Sequence, residues 1–241
     1  MAATDADATI ISRNVAVVRE RIAESCRRAG RSVTEVTLVG VTKYVSADMA
    51  RLLVAAGCHD LGESRPQSLW EKGAALAAVE IQPRWHLIGH LQRNKIRRTL
   101  PLLPLIHSLD SLRLLTALDA EAAAAERACR ALVEVNLTDD PGRTGASEEE
   151  AAAIVAAAAT SPHVTVCGLM GMASAPAEGQ GPRREFARLR AFRDALVARL
   201  PAAAGLKELS MGMSGDFAEA ILEGATIVRV GSALWEGVAG A

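Results

Sequence analysis

Val36-Thr37-Leu38-Val39-Gly40-Val41-Thr42-Lys43 is an apolar, β-branched run of strand length that closes on a lysine. A strand with one wet face would alternate apolar and polar residues. A continuous apolar run reads as a strand buried on both faces, as in a parallel sheet covered by helices. A lysine at the C-terminal end of such a strand sits where a barrel or a doubly wound sheet opens to solvent, and ligands bind at that edge in both architectures. Two readings of Lys43 are open at this point. An amine with a lowered pKa at a buried edge forms a Schiff base with an aldehyde. A lysine that only caps a strand reaches past it to water.

Working outward, the same strand-then-helix unit repeats. A helix over Ile10–Gly30, with Val15, Val18, Ile22 and Cys26 at helical spacing, precedes the first strand. After Val36–Lys43 the pattern predicts strands at His59–Gly62, Arg84–Ile88, Leu105–His107, Ala131–Asn136, Val164–Met170, Lys207–Ser210 and Thr226–Val230. Between them fall helices at Ala47–Ala56, Pro66–Ala78, Arg93–Leu100, Ser111–Arg127, Ser147–Ala159, Arg183–Arg199 and Asp216–Glu223. Ser147 and Glu150 have capping-box spacing. Strand–helix alternation means a parallel sheet, and eight such units predict a (β/α)8 TIM barrel with an extra N-terminal helix. A doubly wound sheet is the alternative, opposed mainly by strand count. Residues 1–241 read as one domain, because no low-complexity linker divides the chain. Ala173–Pro182 is the longest loop candidate and is expected to be a mobile loop at a strand's C-terminal end.

Composition narrows the function classes. The chain has 241 residues, half of them apolar, with 3% aromatics and one tyrosine, Tyr44, so its core must be aliphatic. A net charge of −1 gives no global attraction to nucleic acid or anionic membrane. Cys26, Cys58, Cys129 and Cys167 form no CxxC pair and read as buried, reduced thiols. No signal-peptide pattern and no run of about 18 uncharged apolar residues is visible, so a cytoplasmic location is expected, with no membrane and no nucleic-acid partner. His86 and His90 have metal-ligand spacing only on a helix, and Gly89 and the strand pattern argue against that helix, so no metal is expected. The basic run Arg93–Arg98 reads as a solvated helix face. Glu63 reads either as a general base or as the ion-pair partner of a basic neighbour at the barrel mouth.

Residues just beyond the strands share one face of a barrel. There the sequence places Lys43, Gly62-Glu63-Ser64, His90, Ser108, Asp110, Asn136, Met170, the loop Ser210-Met211-Gly212-Met213-Ser214-Gly215, Arg229 and Gly231-Ser232. The loop after the seventh strand offers hydroxyls and helix-start amides to an anion, and Gly231-Ser232 adds more amides. Loops seven and eight commonly hold phosphate in such barrels. Serine caps on ordinary turns are the competing reading. Arg229 shares strand parity with Ile227 and Gly231, so it lies among small or apolar neighbours and needs a partner. Arginine only donates, which suits a ring nitrogen that accepts. An aldehyde-reactive amine, a phosphate cradle and a donor for a pyridine nitrogen are together the requirements of pyridoxal 5'-phosphate (PLP).

The motifs GVTKY, GESRPQ, WHLIGHLQRNK, HSLDSLRL, VEVN, GLMGM, LSMGMSGD and VRVGSALWEG run in order through most of the chain. In them the sequence resembles the PLP homeostasis protein family, a single-domain relative of the alanine racemase barrel (the fold-type III PLP proteins). The resemblance implies that Lys43 holds PLP as a Schiff base. It implies that Ser214, Gly231 and Ser232 bind the phosphate with Ser210 nearby, and that Arg229 faces the pyridine nitrogen. It places Met170, Met213 and His86 around the ring. Ser64 stands where the family usually has asparagine, so a contact made there is expected to pass through water or be lost.

Three functions compete: a protein that binds, buffers and delivers PLP to apoenzymes; a PLP-dependent amino-acid racemase-like enzyme; and a cofactor-free Schiff-base aldolase. Racemisation by the alanine racemase route needs a second base, which there is a tyrosine from a partner's C-terminal β domain. That domain is not evident before Ala241, and Tyr44, next to Lys43, is expected on the opposite strand face. An arginine at the pyridine nitrogen also weakens the ring as an electron sink. The aldolase leaves Arg229 unexplained. The expectation is therefore a monomeric, non-enzymatic PLP binder.

Overall fold

The computed structural model describes residues 3–102, 105–138, 140, 142–174 and 181–239. Helix α1 (Asp5–Arg28) starts five residues ahead of the predicted Ile10, because Thr4 and Asp7 form a capping box there. Its buried stripe is Ile11, Val15, Val18, Ile22 and Cys26. The chain then continues through β1 (Thr37–Val41), α2 (Ala47–Ala55), β2 (Asp60–Glu63), α3 (Pro66–Ala77), β3 (Arg84–Leu87), α4 (Ile96–Thr99), β4 (Leu105–Leu109) and α5 (Leu112–Ala124). It closes with β5 (Cys129–Val135), α6 (Glu148–Ala158), β6 (Val164–Gly171), α7 (Pro182–Arg199), β7 (Glu208–Ser210), α8 (Phe217–Leu222), β8 (Ile227–Val230) and α9 (Ser232–Trp235).

The eight strands pair in sequence order, all parallel, and β8 closes on β1 with Leu38 opposite Val228 and Val39 opposite Arg229. The fold is the expected (β/α)8 barrel with an added N-terminal helix. Ser147 caps α6 with Glu150 completing its box, as the spacing predicted. Three local expectations differ. Strand β1 ends at Val41, two residues before Lys43. The helix predicted over Arg93–Leu100 breaks into a 3₁₀ turn, the four-residue α4 and a second 3₁₀ turn that contains Pro101, which has no amide to extend a helix. The short helix α9 has no counterpart in the pattern. Within the predicted loop Ala173–Pro182, residues 175–180 lie outside the described residues.

The core has two parts. The larger lies between barrel and helices and includes Leu53, Leu61, Leu69, Ile106, Leu169, Phe186, Leu209 and Phe217. The smaller fills part of the barrel interior: Val39, Leu105, Leu132, Cys167, Met170 and Ile227. The rest of the interior is polar, with Asp60, His86, His107, Ser210 and Arg229 all buried. All four cysteines are buried free thiols. Burial pushes Cys58 up to about 11 and Cys129 up to about 12, so both stay protonated. Among the described residues, no helix is long and apolar enough to cross a membrane, and no group of three His, Cys, Asp or Glu could hold a metal ion.

Candidate functional site at the barrel mouth

Arg229 is the best-anchored polar side chain of the mouth. It is third in β8, and strand alternation turns it inward beside Ile227. One terminal nitrogen (Nη1) donates to the Ser210 carbonyl at 2.8 Å and to Ser210 Oγ at 2.6 Å. The other (Nη2) donates to the Gly171 carbonyl at 3.2 Å. These bonds use three of a guanidinium's five N–H groups and leave two for a ligand. Burial pulls its pKa down to about 10, against the opposing influence of Glu134 and Asp216, so it remains cationic at neutral pH. The sequence placed Ser210 near a phosphate; the structure bonds it to this arginine.

The loops after β7 and β8 meet through Ser214. Its Oγ accepts from the amides of Gly231 at 3.1 Å and Ala233 at 3.3 Å. Two backbone amides thus already converge on one oxygen, the arrangement an oxyanion needs. The expected amides at the start of α8 are not free in this way. Met213 N–H donates to Asp216 Oδ1 at 2.6 Å, while the amides of Asp216 and Phe217 donate to the Met213 carbonyl. Gly212 lets this loop form: its φ is +93°, and a Cβ there would lie 2.6 Å from Ala220 Cβ and 2.8 Å from Phe217 Cα. Ser232 is exposed at the start of α9.

Strand β1 delivers Lys43 to the same rim. A Cβ on Gly231 would be 3.5 Å from Val41 Cβ, and Trp235 Nε1 donates to the Val41 carbonyl at 2.8 Å. Lys43 follows two residues later and is exposed rather than buried. Its Nζ lies 4.8 Å from the centre of the Tyr44 ring. Tyr44 was expected on the opposite face, but β1 has ended by then and the alternation no longer applies. The amine meets the ring, a cation–π contact. Lys43 lines a cavity of about 570 Å³ together with Tyr44, Ser46, Ser68, Glu71 and Lys72. Below it, Glu63 is fully buried and pairs with Lys72 of α3, the basic partner left open by the sequence. Lys72 Nζ also donates to the Thr42 carbonyl at 2.5 Å, and Thr42 Oγ1 donates to Glu63 at 2.8 Å. The residue before Lys43 is therefore held at both its carbonyl and its hydroxyl.

The remaining predicted residues are spread more widely. Met170 is 1% exposed within the interior apolar cluster, opposite Glu134. Met213 is exposed and lines a second cavity of about 250 Å³ with Glu134, Asn136, Thr144 and Met172. Ser64 is half-buried in the turn after β2, where its carbonyl comes so close to Gly89 that a Cβ there would lie 2.4 Å from it. His86 lies deep in the barrel, 2.9 Å from His107 and 3.2 Å from Asp60. His90 is on the surface beside Asp110, so the two histidines share no helix face.

Sequence reasoning passed over His107, Asp60 and Glu134. Strand parity was the available signal: Asp60 alternates with Gly62, and His107 with Leu105, on the inward face. Glu134 sits between Val133 and Val135, with its carboxyl pushed up by burial and bonded by Thr144 at 2.6 Å.

Comparison with known proteins agrees with this architecture. The family model "Alanine racemase, N-terminal domain" matches residues 14–237. A pyridoxal phosphate homeostasis protein of Mycobacterium leprae is 34% identical over 233 residues, covering 91% of this chain and 90% of the relative. A crystal structure of an unknown protein from Bifidobacterium adolescentis superposes with a TM-score of 0.89 at 34% identity, covering 96% of each chain. PipY of Synechococcus elongatus, in a structure with PLP bound, gives a TM-score of 0.81 at 32% identity, covering 93% of this chain and 99% of that one. With its closed barrel, its motifs in order and relatives matched along nearly their whole length, the chain belongs to the pyridoxal phosphate homeostasis protein family, on the alanine racemase N-terminal barrel.

Proposed function

We propose that the protein binds PLP at the barrel mouth and acts in PLP homeostasis, holding the cofactor and releasing it to apoenzymes. The observation that carries this reading is Arg229: a buried, permanently donating guanidinium with two N–H groups to spare, beneath a rim that carries Lys43 and the Ser214–Gly231–Ala233 amide cluster. That donor set fits PLP. Arg229 would face the ring nitrogen, Ser214, Gly231 and Ser232 would take the phosphate, and Lys43 would bind the aldehyde carbon covalently. When bound, PLP supplies an electron-withdrawing ring. A relative 32% identical over most of the chain has PLP bound in its structure, which supports the same ligand here.

The protein is read as a binder and not as a catalyst of amino-acid turnover. A guanidinium at the ring nitrogen donates there and leaves that nitrogen unprotonated, which weakens the ring as a sink for electrons. Tyr44 meets the Lys43 amine with its ring, so it is not placed as an opposing base. The relatives from Mycobacterium leprae and Aquifex aeolicus are named as homeostasis proteins, which supports this reading. The working state is read as a monomer located in the cytoplasm.

Equilibrium dialysis against PLP tests the site. Arg229→Ala and Ser214→Ala are expected to retain a folded barrel and to lose about tenfold or more in affinity, the scale of a lost charge-assisted hydrogen bond. Wild-type affinity in both variants would remove the roles assigned to these residues.

A further inference from the structure

The interior of a TM barrel is normally filled by branched apolar side chains. Here a polar file crosses it from mouth to floor. Arg229 Nη1 reaches Ser210 Oγ at 2.6 Å, Ser210 Oγ reaches His107 Nδ1 at 2.9 Å, and His107 Nε2 reaches His86 Nδ1 at 2.9 Å. His86 Nε2 then reaches Asp60 Oδ1 at 3.2 Å. Asp60 is the first residue of β2, at the opposite end of the barrel from the mouth. Arg84, the first residue of β3, donates to both Asp60 oxygens at 2.8 and 2.5 Å, and its side chain reaches solvent.

The direction of the bonds is set from the last member. The Asp60 carboxylate, held ionised by Arg84, only accepts, so His86 donates to it from Nε2. A neutral His86 then accepts at Nδ1 from His107 Nε2–H. A neutral His107 in turn accepts at Nδ1 from the Ser210 hydroxyl, whose oxygen accepts from Arg229. Burial above all, with the Arg229 charge, holds His107 well below its ordinary range, so it stays neutral as the file requires.

We infer that Ser210, His107, His86 and Asp60 form a one-way hydrogen-bonded chain that holds the Arg229 guanidinium in place from the far end of the barrel, which makes His107 a positioning residue for cofactor binding. The inference rests on the proposed role of Arg229 toward the PLP ring. His86 thereby acts through the chain and not at the ring. The apolar cluster beside it, Leu105 and Leu132 included, fills the remaining interior and makes no such connection.

Two measurements test it. Long-range ¹⁵N–¹H correlation spectra of the full chain without PLP should show both His86 and His107 neutral, protonated on Nε2 with Nδ1 accepting. A proton on Nδ1 of either ring, or an imidazolium at neutral pH, would overturn the chain while leaving PLP binding itself intact. PLP affinity is then compared for wild type, His107→Phe, Arg229→Ala and the double variant, with Leu105→Val as a control for a general disturbance of the interior. His107→Phe should weaken binding about tenfold, and the double variant should bind no worse than Arg229→Ala alone, because both act through one group. Leu105→Val should bind like wild type. Additive losses, or an equal loss in Leu105→Val, would make His107 merely structural and overturn the inference. Should His107→Phe fail to fold, Ser210→Ala breaks the same link and is read in the same cycle. Unchanged affinity in Arg229→Ala would overturn the proposed function and this inference together.

Discussion

His107 has no exposed surface, lies between Ser210 and His86, and carries a cost if it charges. Its folded-state pKa lies well below the ordinary 6.5. Below that pH the unfolded chain binds a proton that the folded protein refuses, so folded stability falls as pH drops below about 6.5. Asp60 has the opposite sign of group and a later window. Burial raises its pKa, but hydrogen bonds from His86 and Arg84 and the Arg84 charge outweigh that and hold it at about 2, against 3.8. Its contribution is present above about 3.8 and is lost as pH falls toward 2. Urea unfolding should therefore show stability declining between pH 7 and 5 by up to about 1.4 kcal/mol per pH unit, one proton's worth. His107→Asn should flatten that part of the curve. A wild-type profile that is flat from pH 7 to 5 would contradict the neutral, buried His107.

At the scale of elements, α9 shows how the fold builds a binding edge from a segment too short to be stable alone. It has four residues, below the length at which a helix sustains itself. Asn14 of α1 donates from Nδ2 to the carbonyls of Leu234 at 3.2 Å and Glu236 at 2.9 Å, and Trp235 donates to β1. The N-terminal helix thus fixes the segment that carries the Gly231 and Ala233 amides. Asn14→Ala should cost about 1–3 kcal/mol in urea unfolding, since it leaves two carbonyls without their donor, and should also weaken PLP retention in dialysis. Unchanged stability and retention would remove the link between α1 and the mouth. Neither α9 nor this bond is legible in the sequence: four residues show no periodicity, and Asn14 reads only as a polar residue near a helical stripe. Arg93–Leu100 reads as one continuous helical pattern, whereas the chain forms 3₁₀ turns on both sides of the four-residue α4, and Pro101 supplies no amide to extend it. The capping box of α6 was legible because it is local.

For the molecule as a whole, the barrel could be read because each strand–helix unit announces itself within a few residues, and closure follows from the number of units. That Lys43, Ser214, Gly231 and Arg229 sit in or beyond the C-terminal ends of β1, β7 and β8 could be read for the same reason; the roles toward PLP are those proposed above. The interior was not legible. Asp60, His86, His107, Ser210 and Arg229 come from five strands and are neighbours only once the barrel has closed, so no local pattern ties them together. Lys43 is exposed two residues beyond β1, the neighbour of β8, which carries Arg229, and the proposed PLP site rests on that placement. The most direct test is borohydride reduction of the PLP-loaded protein followed by mass mapping of its peptides. The account predicts one reduced adduct, on the peptide containing Lys43, and none in Lys43→Ala. An adduct on another lysine, or one that persists undiminished in Lys43→Ala, would contradict it.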